Sequence, residues 1–240
     1  MPVGRDEAGS WRRARGLREA HVRDFGIPYL TGHEMREVDR GMIEDLRIEL
    51  IQVLESAGRS LAQLARTRFL GGNPLGRTVL VLCGTGNNGA GGLVAARRLH
   101  AWGANVRVLL TRSPEAFLGV PEHELDIVER LGIPLSDGRG LTLLPQVDLV
   151  IDAILGYGLL GDPLNEAARM IELANEYEAP ILSLEVPSGV DITTGEARDP
   201  AVRATATLAL ALPKTGLRSR EAAPWVGELW LGDLGVPPEL

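Results

Sequence analysis

Cysteine is almost missing from this chain. Among 240 residues only Cys83 carries a thiol, so no disulfide can close within it. That usage fits a reducing cytoplasm, the compartment we expect. Histidine is scarce too. His21, His33, His100 and His123 stand apart without ligand spacing, which argues against a zinc site. No apolar run approaches the roughly 18 residues of a membrane helix; the longest, residues 204–212, is short and holds two threonines. Net positive charge is lacking as well. At −7 the chain is a poor candidate for nucleic-acid binding driven by counterion release, though a local loop can still hold a phosphate. Internal repeats, low-complexity segments and inter-domain linkers are absent.

What is present is a composition ordinary for a globular protein, 45% hydrophobic and 24% charged, and a length suited to one core. Residues 1–28 read as a basic extension with six arginines, among them Arg5, Arg12 and Arg23. It lacks an apolar core, so a secretory signal is not expected, and Asp6, Glu7, Glu19 and Asp24 interrupt it, which argues against a transit peptide. Within it, residues 11–22 have the composition of a helical arm. The folded domain is expected over 29–240.

Thr31 with Glu34 reads as a capping box opening a first helix, with Met35, Val38, Met42 and Ile43 on one face. A second helical pattern spans 48–69 and ends at Gly71-Gly72-Asn73-Pro74. The period then changes. Residues 78–83 form a continuous apolar run, as in a strand buried on both faces. Further strands are predicted at 105–110, 147–153, 181–185, 204–211 and 228–231. Helices are predicted at 93–102, 121–131 and 165–176. The alternation implies an α/β fold with a mostly parallel central sheet covered on both faces. Ligands in such folds bind beyond the carboxyl ends of the strands. Three unusual segments follow strands here: the glycine-asparagine loop after Cys83, the glycine-rich loop after Ala153, and the turn after Glu185. Parallel strands would bring all three to one rim.

The first loop contains Gly84-x-Gly86-x-x-Gly89, a formal dinucleotide fingerprint and a weak signal alone. A tight strand-to-helix turn without a ligand is the plain alternative, but the adjacent amides of Asn87 and Asn88 have little structural use there. An ordinary dehydrogenase would carry an acidic residue at the end of the second strand to read the ribose; this chain has Thr111 and Arg112. Asp152 ends an apolar run, where a carboxylate is costly unless it is paired, caps a helix or binds a cation. Asn88, Asp152 and Ser188 together offer oxygen ligands to a hard cation. Glu185, at another strand end, suits general acid/base work, hydrogen bonding to ligand hydroxyls, or a solvated terminus. Ser188 lies outside any G-x-S-x-G elbow, so a serine hydrolase is rejected. Cys83 is expected to pack in the sheet.

Several of these segments together resemble the YjeF N-terminal domain family, the NAD(P)H-hydrate epimerases, over residues 29–237. The likeness rests on Leu54-Glu55-Ser56-Ala57-Gly58, on Gly86-Asn87-Asn88-Gly89-Ala90-Gly91-Gly92, and on Asp152-Ala153-Ile154-Leu155-Gly156-Tyr157-Gly158. Val186-Pro187-Ser188-Gly189-Val190-Asp191 and Pro213-Lys214-Thr215-Gly216-Leu217 complete it. The resemblance implies a three-layer αβα Rossmann-like domain, commonly a homodimer. The implied reaction is epimerisation of the R and S forms of hydrated NADH or NADPH in nicotinamide nucleotide repair, alongside a separate dehydratase. It implies one potassium ion per subunit on Asn88, Asp152 and Ser188. It places ligand contacts at Asn87, Asn88, Gly89, Ala90 and Gly91, at Gly156, Tyr157, Gly158, Leu159, Leu160, Gly161 and Asp162, and at Glu185. Glu185 is the candidate catalytic acid/base, with Asp191 as a substitute. The family pattern has aspartate where this chain has Gly91 and Glu185. Those departures leave room for a second reading, a catalytically impaired nucleotide-binding or interaction module on the same fold.

Overall fold

The computed structural model describes residues 3–5, 11–13, 27–137, 146–159 and 161–240. Among these the strands form one sheet. In chain order they are β1 (Val3–Arg5), β2 (Trp11–Arg13), β3 (Thr78–Cys83), β4 (Asn105–Leu110), β5 (Leu135–Asp137), β6 (Leu149–Ala153), β7 (Ile181–Leu184), β8 (Ala206–Leu210) and β9 (Glu228–Gly232). The spatial order is β2-β1-β9-β8-β7-β6-β3-β4-β5. From β9 to β5 every neighbouring pair is parallel; β1 runs antiparallel to β9 and to β2. The helices are α1 (Gly32–Arg40), α2 (Leu50–Leu64), α3 (Asn87–Ala101), α4 (Val120–Arg130), α5 (Asn165–Glu176) and the short α6 (Ala223–Val226).

The central strands show why the sheet has three layers. Val79, Val81 and Cys83 point to one face with Leu149 and Ile151, and there meet Leu61, Leu93, Leu99 and Leu125 from α2, α3 and α4. Leu80, Leu82 and Val150 point to the other face and meet Met170 and Ile171 of α5. Alternate residues of a strand serve opposite cores, so the strand must be apolar throughout. Burying one such leucine contributes roughly 1.5–3 kcal/mol.

The capping box at α1 is present: Thr31 Oγ1 accepts from the Glu34 amide, and Glu34 Oε2 accepts from the Thr31 amide at 2.7 Å. Two expectations need correcting. Trp11–Arg13 is a strand, not the start of a helical arm; residues 14–22 lie outside the described residues. α3 begins at Asn87 rather than near residue 93, so half of the glycine-asparagine loop is already helix. Its glycines argued for a loop, but here they permit close packing. A Cβ at Gly89 would lie 1.8 Å from the Gly84 carbonyl oxygen.

Candidate functional site

Because β3, β6 and β7 are parallel, the segments that leave their C-terminal ends meet at one rim. There they border a cavity of about 620 Å³. Gly84, Gly86, Asn87 and Asn88 line it from the start of α3. Gly156, Tyr157, Gly158 and Leu159 line it from the loop after β6, and Glu185 from the end of β7. Arg112 reaches it from β4, Asp39 and Met42 from α1 and its continuation, and Lys214 from the segment after β8. The volume is typical of a small-molecule or cofactor cleft.

The three loops are tied together behind this wall by Asp152, which is fully buried. Its Oδ2 accepts from Ser183 Oγ at 2.7 Å and from the Ser188 amide at 2.9 Å. Its Oδ1 accepts from Ser188 Oγ at 2.5 Å and from the Ile154 amide at 3.2 Å. The Asn88 side-chain amide donates to the Leu155 carbonyl at 3.1 Å, and the Leu155 amide donates to Ser188 Oγ at 2.8 Å. Burial pushes the Asp152 carboxyl up, and these hydrogen bonds pull it back. All its donors are neutral, so an ionised Asp152 leaves one negative charge in the junction without a cationic side chain among the described residues. Oxygen atoms from three loops around that charge make a ligand set that could hold a hard cation. No group of three or more His, Cys, Asp or Glu suited to a metal occurs among the described residues.

Glu185 is buried and held at φ +67°, a left-handed conformation uncommon outside glycine. Such strain persists where the surroundings over-determine it. Glu185 Oε1 pairs with Lys214, itself fully buried, and Oε2 accepts from the Leu210 amide at 2.8 Å. Lys214 Nζ also donates to the Leu210 carbonyl at 2.8 Å. Burial raises the Glu185 carboxyl above its ordinary range, while the Lys214 ammonium opposes that rise. Beside this pair the Tyr157 hydroxyl donates to Asp39 Oδ2, joining the loop after β6 to α1. Burial raises both the Asp39 carboxyl and the Tyr157 phenol. One end of the cavity thus carries two carboxyls, a phenol and an ammonium.

The predicted residues divide into groups. Asn87, Asn88, Gly156, Tyr157, Gly158, Leu159 and Glu185 line the cavity. Gly89, Ala90 and Gly91 are buried behind it inside α3; a Cβ on Gly91 would face Leu184 at 2.7 Å. Gly161 and Asp162 are exposed and off the wall, and Leu160 lies outside the described residues. Asp191 also lies off the wall. It accepts from the Thr193 and Thr194 amides and stands 3.8 Å from Arg198, a turn-closing role. Asn88, Asp152 and Ser188 do come together. Sequence reasoning missed Asp39 as a wall residue and Lys214 as the partner of Glu185. The one hint in the sequence was a lysine shortly after an apolar run, which does not name its partner. Cys83 is buried in the sheet, as expected.

Residues 50–216 match the family model described as YjeF-related protein N-terminus. Among curated proteins, an NAD(P)H-hydrate epimerase of Dehalogenimonas lykanthroporepellens is 43% identical over 216 residues, covering 88% of this chain and 84% of that one. An NAD(P)H-hydrate epimerase of Rhodopirellula baltica is 33% identical, with 89% and 87% covered. A bifunctional NAD(P)H-hydrate repair enzyme Nnr of Pyrobaculum aerophilum is 39% identical over 88% of this chain, which spans only 42% of that protein's length. Among solved structures, the crystal structure of yeast ynu0, YNL200c, superposes with a TM-score of 0.71 at 25% identity, over 79% of this chain and 83% of that one.

Proposed function

The chain belongs to the family of YjeF-related protein N-termini, and we propose that it epimerises the R and S forms of hydrated NADH and NADPH. The observation that carries the reading is one cavity with the start of α3 at its middle and the Glu185–Lys214 pair at one end. Free N–H groups at the first turn of α3 suit the pyrophosphate. The end of β7 then receives the hydrated nicotinamide ring.

C6 of that ring is bonded to a hydroxyl and to the ring nitrogen. Its configuration is scrambled by losing and regaining the hydroxyl as water, or by opening and closing the ring. Both routes need a group that gives and takes a proton at the C6 oxygen. Glu185 is that group: its protonated form is favoured by burial, and it faces the cavity. Along the first route the Glu185 carboxyl protonates the leaving hydroxyl and the C–O bond breaks to release water. The ring nitrogen supplies its lone pair to C6. Water returns at either face and yields a proton to the Glu185 carboxylate. Lys214 is a positioning residue that fixes the carboxylate. Asn88, Asp152 and Ser188, with the Leu155 carbonyl beside them, would hold potassium, whose charge balances Asp152 and orders the three loops. Homodimer formation and a separate dehydratase that removes the S form complete the proposal.

A binding-only module is not favoured. Gly91, the departure that suggested it, faces Leu184 and lies off the cavity wall. The test supplies R-hydrate of NADH with an S-specific dehydratase. Added protein should raise NADH recovery well above the spontaneous rate; recovery at the spontaneous rate would refute the proposal.

A further inference from the structure

Arg112 lines the cavity but takes no part in the proton transfer proposed at C6. The strand order β5-β4-β3-β6-β7-β8 is that of a doubly wound dinucleotide fold, with its reversal between β3 and β6. β4 is therefore the second strand. It is held in register beside β3, with Leu110 opposite Cys83 and the Thr111 amide donating to the Cys83 carbonyl at 3.0 Å. In such folds the residue just past this strand reads the adenosine ribose. A carboxylate accepts from the 2′-hydroxyl; an arginine accommodates a 2′-phosphate.

Arg112 stands at that place and lines the cavity. It is exposed and, among the described residues, has no hydrogen bond or ion pair. The other cation on the wall, Lys214, is committed to Glu185. The wall carboxylates lie elsewhere: Asp39 with Tyr157, Glu185 with Lys214, and Glu166 at the first turn of α5. None sits at the end of β4 to read an unphosphorylated ribose. Charge is also informative at this point. On a chain of net charge −7, a second dianionic group needs a local cation to be drawn in. A guanidinium offers two parallel N–H donors to a phosphate, which an ammonium cannot.

We propose that Arg112 binds the 2′-phosphate and makes the site prefer hydrated NADPH over hydrated NADH. The inference rests on the dinucleotide reading of the cavity. It also orients the ligand: adenosine over β4, pyrophosphate over the start of α3, nicotinamide at Glu185.

The experiment titrates the full chain with ADP-ribose and with 2′-phospho-ADP-ribose by calorimetry, then repeats both with Arg112→Gln. Because Arg112 is exposed, the variant should keep the wild-type melting temperature. Wild type should bind the phosphorylated ligand about tenfold or more tightly than ADP-ribose, a preference that shrinks in high salt. In Arg112→Gln the ratio should fall to about one, and the ratio of kcat/KM for the two hydrates should fall with it. Equal binding by wild type, or an unchanged ratio in the variant, would overturn the inference and leave the epimerase reading standing. Binding of neither ligand by wild type would overturn both.

Discussion

At the residue scale the role proposed for the Glu185–Lys214 pair gives signed predictions from its electrostatics. Burial raises the Glu185 carboxyl, and in the proposed reaction its protonated form serves the leaving hydroxyl. Epimerisation should therefore decline as pH rises through that raised pKa. Lys214 opposes the rise, so in Lys214→Met the declining limb should move to higher pH, which a kcat/KM profile against pH reads directly. The same variant leaves a buried carboxylate without its counterion, at a cost of about 3 kcal/mol near neutral pH. A carboxyl whose folded pKa is raised favours the folded state at low pH and loses that contribution as pH rises through the folded pKa. Denaturant unfolding of Lys214→Met should thus show a penalty that shrinks in acid. Glu185 was legible in the sequence because a carboxylate at the end of an apolar run stands out. Lys214 and Asp39 were not, because their relation to Glu185 exists only after α1 and the segment following β8 reach the rim that β7 forms.

At the scale of elements the strands were the most readable part. A strand between two helical layers has no polar face, so the apolar runs at β3 and β6 could hardly be anything else. β5 escaped notice because it has three residues and no buried one among them. The start of α3 was misplaced because glycine signals both a loop and a tightly packed helix, and only contacts such as that of Gly89 with Gly84 distinguish the two. The same ambiguity bears on Gly91. A carboxylate there would be buried against Leu184 without a named partner, so Gly91→Asp should destabilise the fold by about 1–3 kcal/mol and should not raise the epimerisation rate. A thermal melt beside a rate assay checks both. The loop junction around Asp152 makes a prediction of its own. Replacing potassium chloride by choline chloride at equal ionic strength should lower the melting temperature by a few degrees, about 2–4 °C for each kcal/mol of lost binding. Asp152→Asn should remove that sensitivity. A wild-type melt indifferent to the cation would exclude a stabilising potassium site.

At the scale of the molecule, function follows from topology. Parallel strands put three loops that are distant in sequence on one rim, and the reversal of strand order opens a crevice between them. The expectation of a single convergent site followed from strand direction alone, before any side chain was placed. The depth of the crevice did not, since its far wall comes from α1. No helix among the described residues is long and apolar enough to cross a membrane. The central claim is that this crevice, through Glu185, scrambles C6 of the hydrated nicotinamide. It is tested most directly by starting from pure R-hydrate of NADH and following the S form by chromatography, with wild type and Glu185→Gln side by side. Wild type should reach the equilibrium mixture far faster than the spontaneous reaction, and a folded Glu185→Gln should lose about a hundredfold or more of that rate. A folded Glu185→Gln that epimerises as fast as wild type would contradict the role given to Glu185.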